Sequence, residues 1–153
     1  MRTKVFLISL IVSLVCIGCD RWTDTIGYDV SYENATEHTI DITTVLSIYS
    51  ITRNNQLLPG GHYVERGASI EGEDEASLKR QLEHLIPQKV ILTYDNKYRV
   101  SFTRDTENDY LCKVEDYTIV TIHELLKSCH YVFTEADYEY AKTYGEEVSE
   151  DNM

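Results

Sequence analysis

The sequence predicts a mainly β chain folded as an antiparallel β-sandwich with one or two short helices. Three observations predict it. Apolar residues recur every second position in several separate runs, as strands with one buried face require. Those runs are divided by Gly, Pro, Asn and Asp clusters. Twelve Tyr against three Phe and one Trp suit half-buried strand positions where a hydroxyl stays wet.

Taken in order, Ile26, Tyr28, Val30 and Tyr32 alternate with Gly27, Asp29, Ser31 and Glu33 and predict a first strand. Residues 34–37 form a turn, after which Ile40 and Ile42 alternate with Asp41 and Thr43 towards Ile48. Leu57-Leu58-Pro59-Gly60-Gly61 breaks the pattern, because Pro lacks a donor and Gly favours turns. From Asp74 to Ile86 the spacing of Leu78, Leu82, Leu85 and Ile86 places them on one helical face, stopped by Pro87. A first helix is therefore expected over 75–86.

The clearest hairpin is KVILTYDNKYRVSF. A three-residue loop, Asp95-Asn96-Lys97, sets Tyr94 opposite Tyr98, Leu92 opposite Val100 and Val90 opposite Phe102, and Lys97 is expected to be left-handed. Residues 110–122 read as extended with a slip at Glu115-Asp116, and Cys129, Tyr131 and Phe133 share one face of a last strand. Thr134 with Asp137 forms a capping box, and Phe133 with Tyr138 a hydrophobic staple, for a second helix over 135–144. The segment 145–153 is acidic and nearly devoid of apolar residues, so disorder is expected.

The N-terminus supplies the address. Arg2 and Lys4 precede an apolar run from Val5 to Ile17, shorter than the about 20 residues a membrane span needs, which reads as a secretory signal. Its end, Cys16-Ile17-Gly18-Cys19, resembles the lipobox of bacterial lipoproteins, although the third position before the Cys is usually Leu or Val. The resemblance implies cleavage after residue 18 and acylation of Cys19, with 19–25 as a tether and 26–144 as the sandwich domain. Two or three acyl chains give the stable anchorage that one cannot. Cleavage removes Arg2 and Lys4 from the 14 basic residues, leaving 12 against 26 acidic ones and a net charge of −14. Such a surface repels phosphates, so no nucleic-acid partner is expected, and the membrane must be held through lipid rather than through a basic patch.

The motifs "YENATEHTIDI", "LLPGG", "ILTYDNKYRVSF" and "YVFTEADYEYAK", behind a lipobox, are similar to those of small lipoproteins of the Bacteroides type. The resemblance implies an immunoglobulin-like sandwich anchored at the cell envelope, facing the periplasm or the exterior; the outer membrane is the expected site, although Asp20 directly after the Cys is an inner-membrane retention signal under the enterobacterial rule. It brings no catalytic residues.

HELLK at 123–127 lacks the second imidazole of the zinc-protease pattern, with Lys127 in its place. Glu71, Glu73, Asp74 and Glu75 match no calcium loop, and a solvated acidic loop is the favoured reading. The histidines, His123 and His130 among them, are scattered. Apart from Cys16-Ile17-Gly18-Cys19 at the end of the leader, no C-x-x-C occurs, and neither a nucleophile elbow nor a phosphate loop is present. The expectation is therefore a non-enzymatic binding or structural module with no cofactor and no metal. The alternative is a surface accessory protein that stacks sugars on exposed tyrosines, and an enzyme of unknown class comes third. Asp24-Thr25-Ile26 fits a short O-glycosylation pattern of this bacterial group, with Thr25 the acceptor. After export Cys112 and Cys129 are the remaining thiols. A return centred near Val120-Thr121 would set them opposite each other, which favours a disulfide.

Overall fold

The computed structural model describes residues 25–46, 51–70 and 75–148. Among these residues the strands are β1 (Ile26–Asn34), β2 (Ile40–Leu46), β3 (Ile51–Leu57), β4 (His62–Ile70), β5 (Lys89–Tyr94), β6 (Tyr98–Thr103), β7 (Thr118–His123), β8 (Leu126–Phe133) and β9 (Glu146–Glu147). The helices are α1 (Glu75–Leu85) and α2 (Glu135–Tyr144), and a short 3₁₀ turn spans Val114–Asp116. The strands form two sheets, β4-β1-β8-β7 and β3-β2-β5-β6-β9, as in a β-sandwich.

The two inner faces meet in one core. β1 contributes Tyr28, Val30 and Tyr32, and β8 contributes Cys129, Tyr131 and Phe133. Facing them are Ile40 and Ile42 of β2, Val90, Leu92 and Tyr94 of β5, and Val100 and Phe102 of β6. The period-2 alternation thus places the expected residues inside. Leu82 and Ile86 of the α1 segment close one flank, and Arg104 donates to the carbonyls of Glu83 (2.9 Å) and Ile86 (2.7 Å) at the end of that helix. An arginine there satisfies carbonyls that no helical N–H can reach.

The β5–β6 register is the expected one, with Tyr94 opposite Tyr98, Leu92 opposite Val100 and Val90 opposite Phe102. Its turn differs. Asp95 and Asn96, not Lys97, are left-handed (φ 49° and 55°), and the Lys97 N–H bonds the Tyr94 carbonyl at 2.8 Å. Two left-handed central residues match the twist of the strands, and Asp and Asn tolerate that conformation. At α2 the Asp137 carboxylate accepts from the Thr134 N–H (2.7 Å) and hydroxyl (2.9 Å). The Tyr138 ring lies flat on His38 and edge-on to Tyr94 and Tyr98.

Four further expectations do not hold. β1 and β8 run parallel, in register from Gly27–Leu126 to Asn34–Phe133, so the sandwich is not antiparallel throughout. Residues 110–117 are loop and 3₁₀ turn rather than strand. Glu146–Glu147 pair with Tyr98 and Arg99, so the fold continues past Gly145 to Val148, while 149–153 lie outside the described residues. Cys112 and Cys129 are free. The β7–β8 return centres on Glu124-Leu125, which sets Ile119 opposite Cys129 and leaves Cys112 in the preceding loop. Burial pushes both thiols up to about 11.

Candidate functional site

Both outer faces of the sandwich carry shallow depressions, and they differ in chemistry. The outer face of the five-stranded sheet is polar. Its cross-strand pairs satisfy one another: Thr43 donates to Asn54 (2.7 Å) and Gln56 to Asp41 (2.9 Å).

The outer face of the four-stranded sheet is apolar, with a polar floor. Val64, Val120, Ile122 and Leu126 wall a groove of about 430 Å³, and Ser31, Ser128 and His130 line its base. The parallel pairing of β1 with β8 builds this floor, because it sets Ser31 opposite His130 and Asp29 opposite Ser128. The Ser31 hydroxyl lies 2.6 Å from that of Ser128 and 2.9 Å from His130 Nδ1, and His130 Nε2 is 3.4 Å from the Glu33 carboxylate.

Carboxylate, imidazole and hydroxyl in sequence are the components of a nucleophile relay. The geometry opposes that chemistry. Ser31 is 3% exposed, so a substrate carbonyl has no approach to its hydroxyl. β1 is an interior strand paired with β4 and β8, irregular towards β4 only between Tyr28 and Val30, so Ser31 sits on a strand held from both sides. The network instead satisfies two buried hydroxyls, as burial demands.

A second surface is aromatic. Tyr110 and Tyr140, with Ala136 and Asp137, line a depression of about 360 Å³ beside α2. The Tyr140 and Tyr144 rings have centroids 4.9 Å apart, and Tyr140 stacks on Phe102. The Tyr110 hydroxyl bonds that of Tyr131, which donates to Asp137 at 2.8 Å. Tyr110, Tyr140 and Tyr144 are exposed, whereas Tyr28, Tyr32, Tyr94, Tyr117 and Tyr131 are buried. Most of the described tyrosines thus belong to the core and its rim, and three gather at one place.

HELLK is a β-hairpin turn, not a helix, so His123 cannot share a helical face with another ligand. Among the described residues no group of three His, Cys, Asp or Glu side chains is placed to hold a metal, and no helix is long and apolar enough to cross a membrane. Thr25 directly precedes β1 and is half-buried. Cys19 and residues 71–74 lie outside the described residues. The sequence reading missed the Ser31–Ser128–His130 floor, since a strand pair separated by almost a hundred residues leaves no local signal.

No family model, no curated protein and no solved structure matches the chain.

Proposed function

We propose that this chain is a lipid-anchored lipoprotein of the cell envelope, held in the outer membrane by acyl chains on Cys19, with a non-catalytic sandwich that acts as a binding module. The observation that carries the binding reading is the contiguous apolar surface on the outer face of the four-stranded sheet. Val64, Val120 and Ile122 are exposed there and wall one groove. Exposed apolar residues gathered in one patch mark contact surfaces, whereas single scattered ones do not. The burial of Ser31 supports the non-catalytic part. Cys19→Ala is expected to move the protein from the detergent phase to the aqueous phase and to abolish fatty-acid labelling. Continued labelling of that variant would sink the anchor.

A second reading rests on the tyrosines. Tyr110, Tyr140 and Tyr144, with Asp137 and Asn108 at hand for hydroxyls, form the kind of platform on which a sugar ring stacks. Tyr140→Ala is expected to weaken binding to a retained oligosaccharide on a glycan array by about tenfold, since stacking contacts contribute roughly 1–1.5 kcal/mol. Equal retention of both proteins would dismiss the platform.

A further inference from the structure

We propose that the free edge of β7 and the tip of the β7–β8 hairpin rest on the surface of the bilayer that carries the anchor, a step that rests on acylation of Cys19. Four observations point to lipid as the occupant. Apolar side chains crowd this corner: Ile122 is 58% and Leu125 50% exposed, with Ile119 and Val120 exposed beside them. The corner is also where the anchored chain enters the fold, because the Gly27 N–H bonds the Leu125 carbonyl at 2.9 Å. At the 3.3–3.6 Å per residue limit of an extended chain, the steps from Cys19 to Gly27 span no more than about 29 Å. The hairpin tip is therefore held close to whatever surface the acyl chains occupy.

Charge agrees. In a strongly acidic chain, Glu124 is the sole carboxylate and Lys127 the sole Lys or Arg between Tyr117 and Thr134, so the β7–β8 hairpin itself, with His123 and His130 neutral, carries no net charge to repel headgroups. β4, which leads into the acidic segment 71–75, finishes at the same end of the sheet as the hairpin tip, since Ile70 pairs with Ile26, but on the opposite edge, three strand spacings or about 14 Å from β7. Contact along the β7 edge does not bring that end of β4 to the headgroups. The depth is limited as well. An edge strand cannot enter hydrocarbon with unpaired backbone groups, so Ile122 and Leu125 reach only the headgroup–acyl boundary, about 5–10 Å deep.

The test uses the full-length lipidated protein in zwitterionic phosphatidylcholine–phosphatidylethanolamine vesicles. A polarity-sensitive thiol label is placed at Leu125→Cys and, for comparison, at Leu58→Cys. Cys112 and Cys129 are buried and do not compete for the label. Leu58 is 59% exposed, in the turn whose Gly60 N–H bonds the Asn34 carbonyl, at the far end of β1. Position 125 is expected to shift to the blue and lose about half of its emission or more to acyl-chain quenchers, as interfacial burial implies. Position 58 is expected to respond to neither, and Ile122→Asp to abolish the response at 125 without changing flotation. Vesicles that carry the protein while position 125 stays aqueous would overturn the docking and leave the anchor standing. Failure of the wild-type protein to float would overturn both. Protection of position 125 in intact cells but not in vesicles would overturn lipid as the occupant in favour of a protein.

Discussion

Asn34→Asp is expected to destabilise the domain by about 3–5 kcal/mol at neutral pH, although it exchanges only an amide for a carboxylate. Asn34 is fully buried at the end of β1 and uses its whole side chain. Its amide nitrogen donates to the carbonyls of His38 (2.7 Å) and Leu57 (3.1 Å), and its oxygen accepts from the Thr36 N–H (3.0 Å) and hydroxyl (2.7 Å). The clamp ties the turn after β1, in one sheet, to the end of β3 in the other. A carboxylate keeps the two accepted bonds but faces two carbonyl oxygens with a buried negative charge. Urea unfolding checks this: the midpoint is expected to fall with an unchanged slope. A wild-type midpoint would mean that the clamp carries no stability.

The second large effect concerns an ion pair that joins the two sheets, Arg53 of β3 with Glu65 of β4. Glu65 is 3% exposed on the inner face of β4, and Arg53 of β3 places Nη1 3.0 Å from its Oε1. Oε1 lacks a well-directed hydrogen bond, so the contact is coulombic, while Thr44 offers a long bond of 3.4 Å to Oε2. Arg53→Met strands the carboxylate and is expected to cost about 2–4 kcal/mol at pH 7, below the full loss for a buried pair because Arg53 is about one-third exposed. Adding Glu65→Gln is expected to restore most of it.

The pH dependence has a definite sign. Burial raises the Glu65 pKa above its ordinary value, with Arg53 and Thr44 opposing. The folded state therefore binds this proton more readily than the unfolded chain. Its contribution to stability is full below the ordinary carboxylate pKa and is lost as pH rises through the raised one. Arg53→Met removes an opposing cation, so its cost is expected to shrink as the solution is acidified through that range. A cost independent of pH would show that Glu65 is not the cause.

Local rules hold where neighbours in the chain are neighbours in space. The alternation of Tyr28, Val30 and Tyr32, the pairing of Leu92 with Val100 and the Thr134–Asp137 cap each depend on a few residues, and each is present. β3 was invisible for a physical reason. ITRNNQL is a polar edge strand whose inward residues include Arg53, so it lacks an apolar period. β4 is broken by a bulge at Gly67, where an added Cβ would lie 1.7 Å from the Tyr28 carbonyl oxygen, and this splits its alternation. The β7–β8 turn holds no Gly, Pro, Asn or Asp, and its Glu-Leu-Leu-Lys composition resembles helix. A return at Val120-Thr121 would set Cys112 opposite Cys129, whereas the actual turn at Glu124-Leu125 sets Ile119 there. The floor of the apolar groove required the parallel meeting of β1 and β8, a tertiary fact with no local trace.

Intact and N-terminal-fragment mass spectrometry of the protein purified from membranes tests most directly whether it is an anchored module. The expected result is a mature N-terminus at Cys19, with the first fragment heavier by a diacylglycerol thioether and an amide-linked acyl chain. An unmodified Cys19, or a mature chain that begins elsewhere, would contradict it.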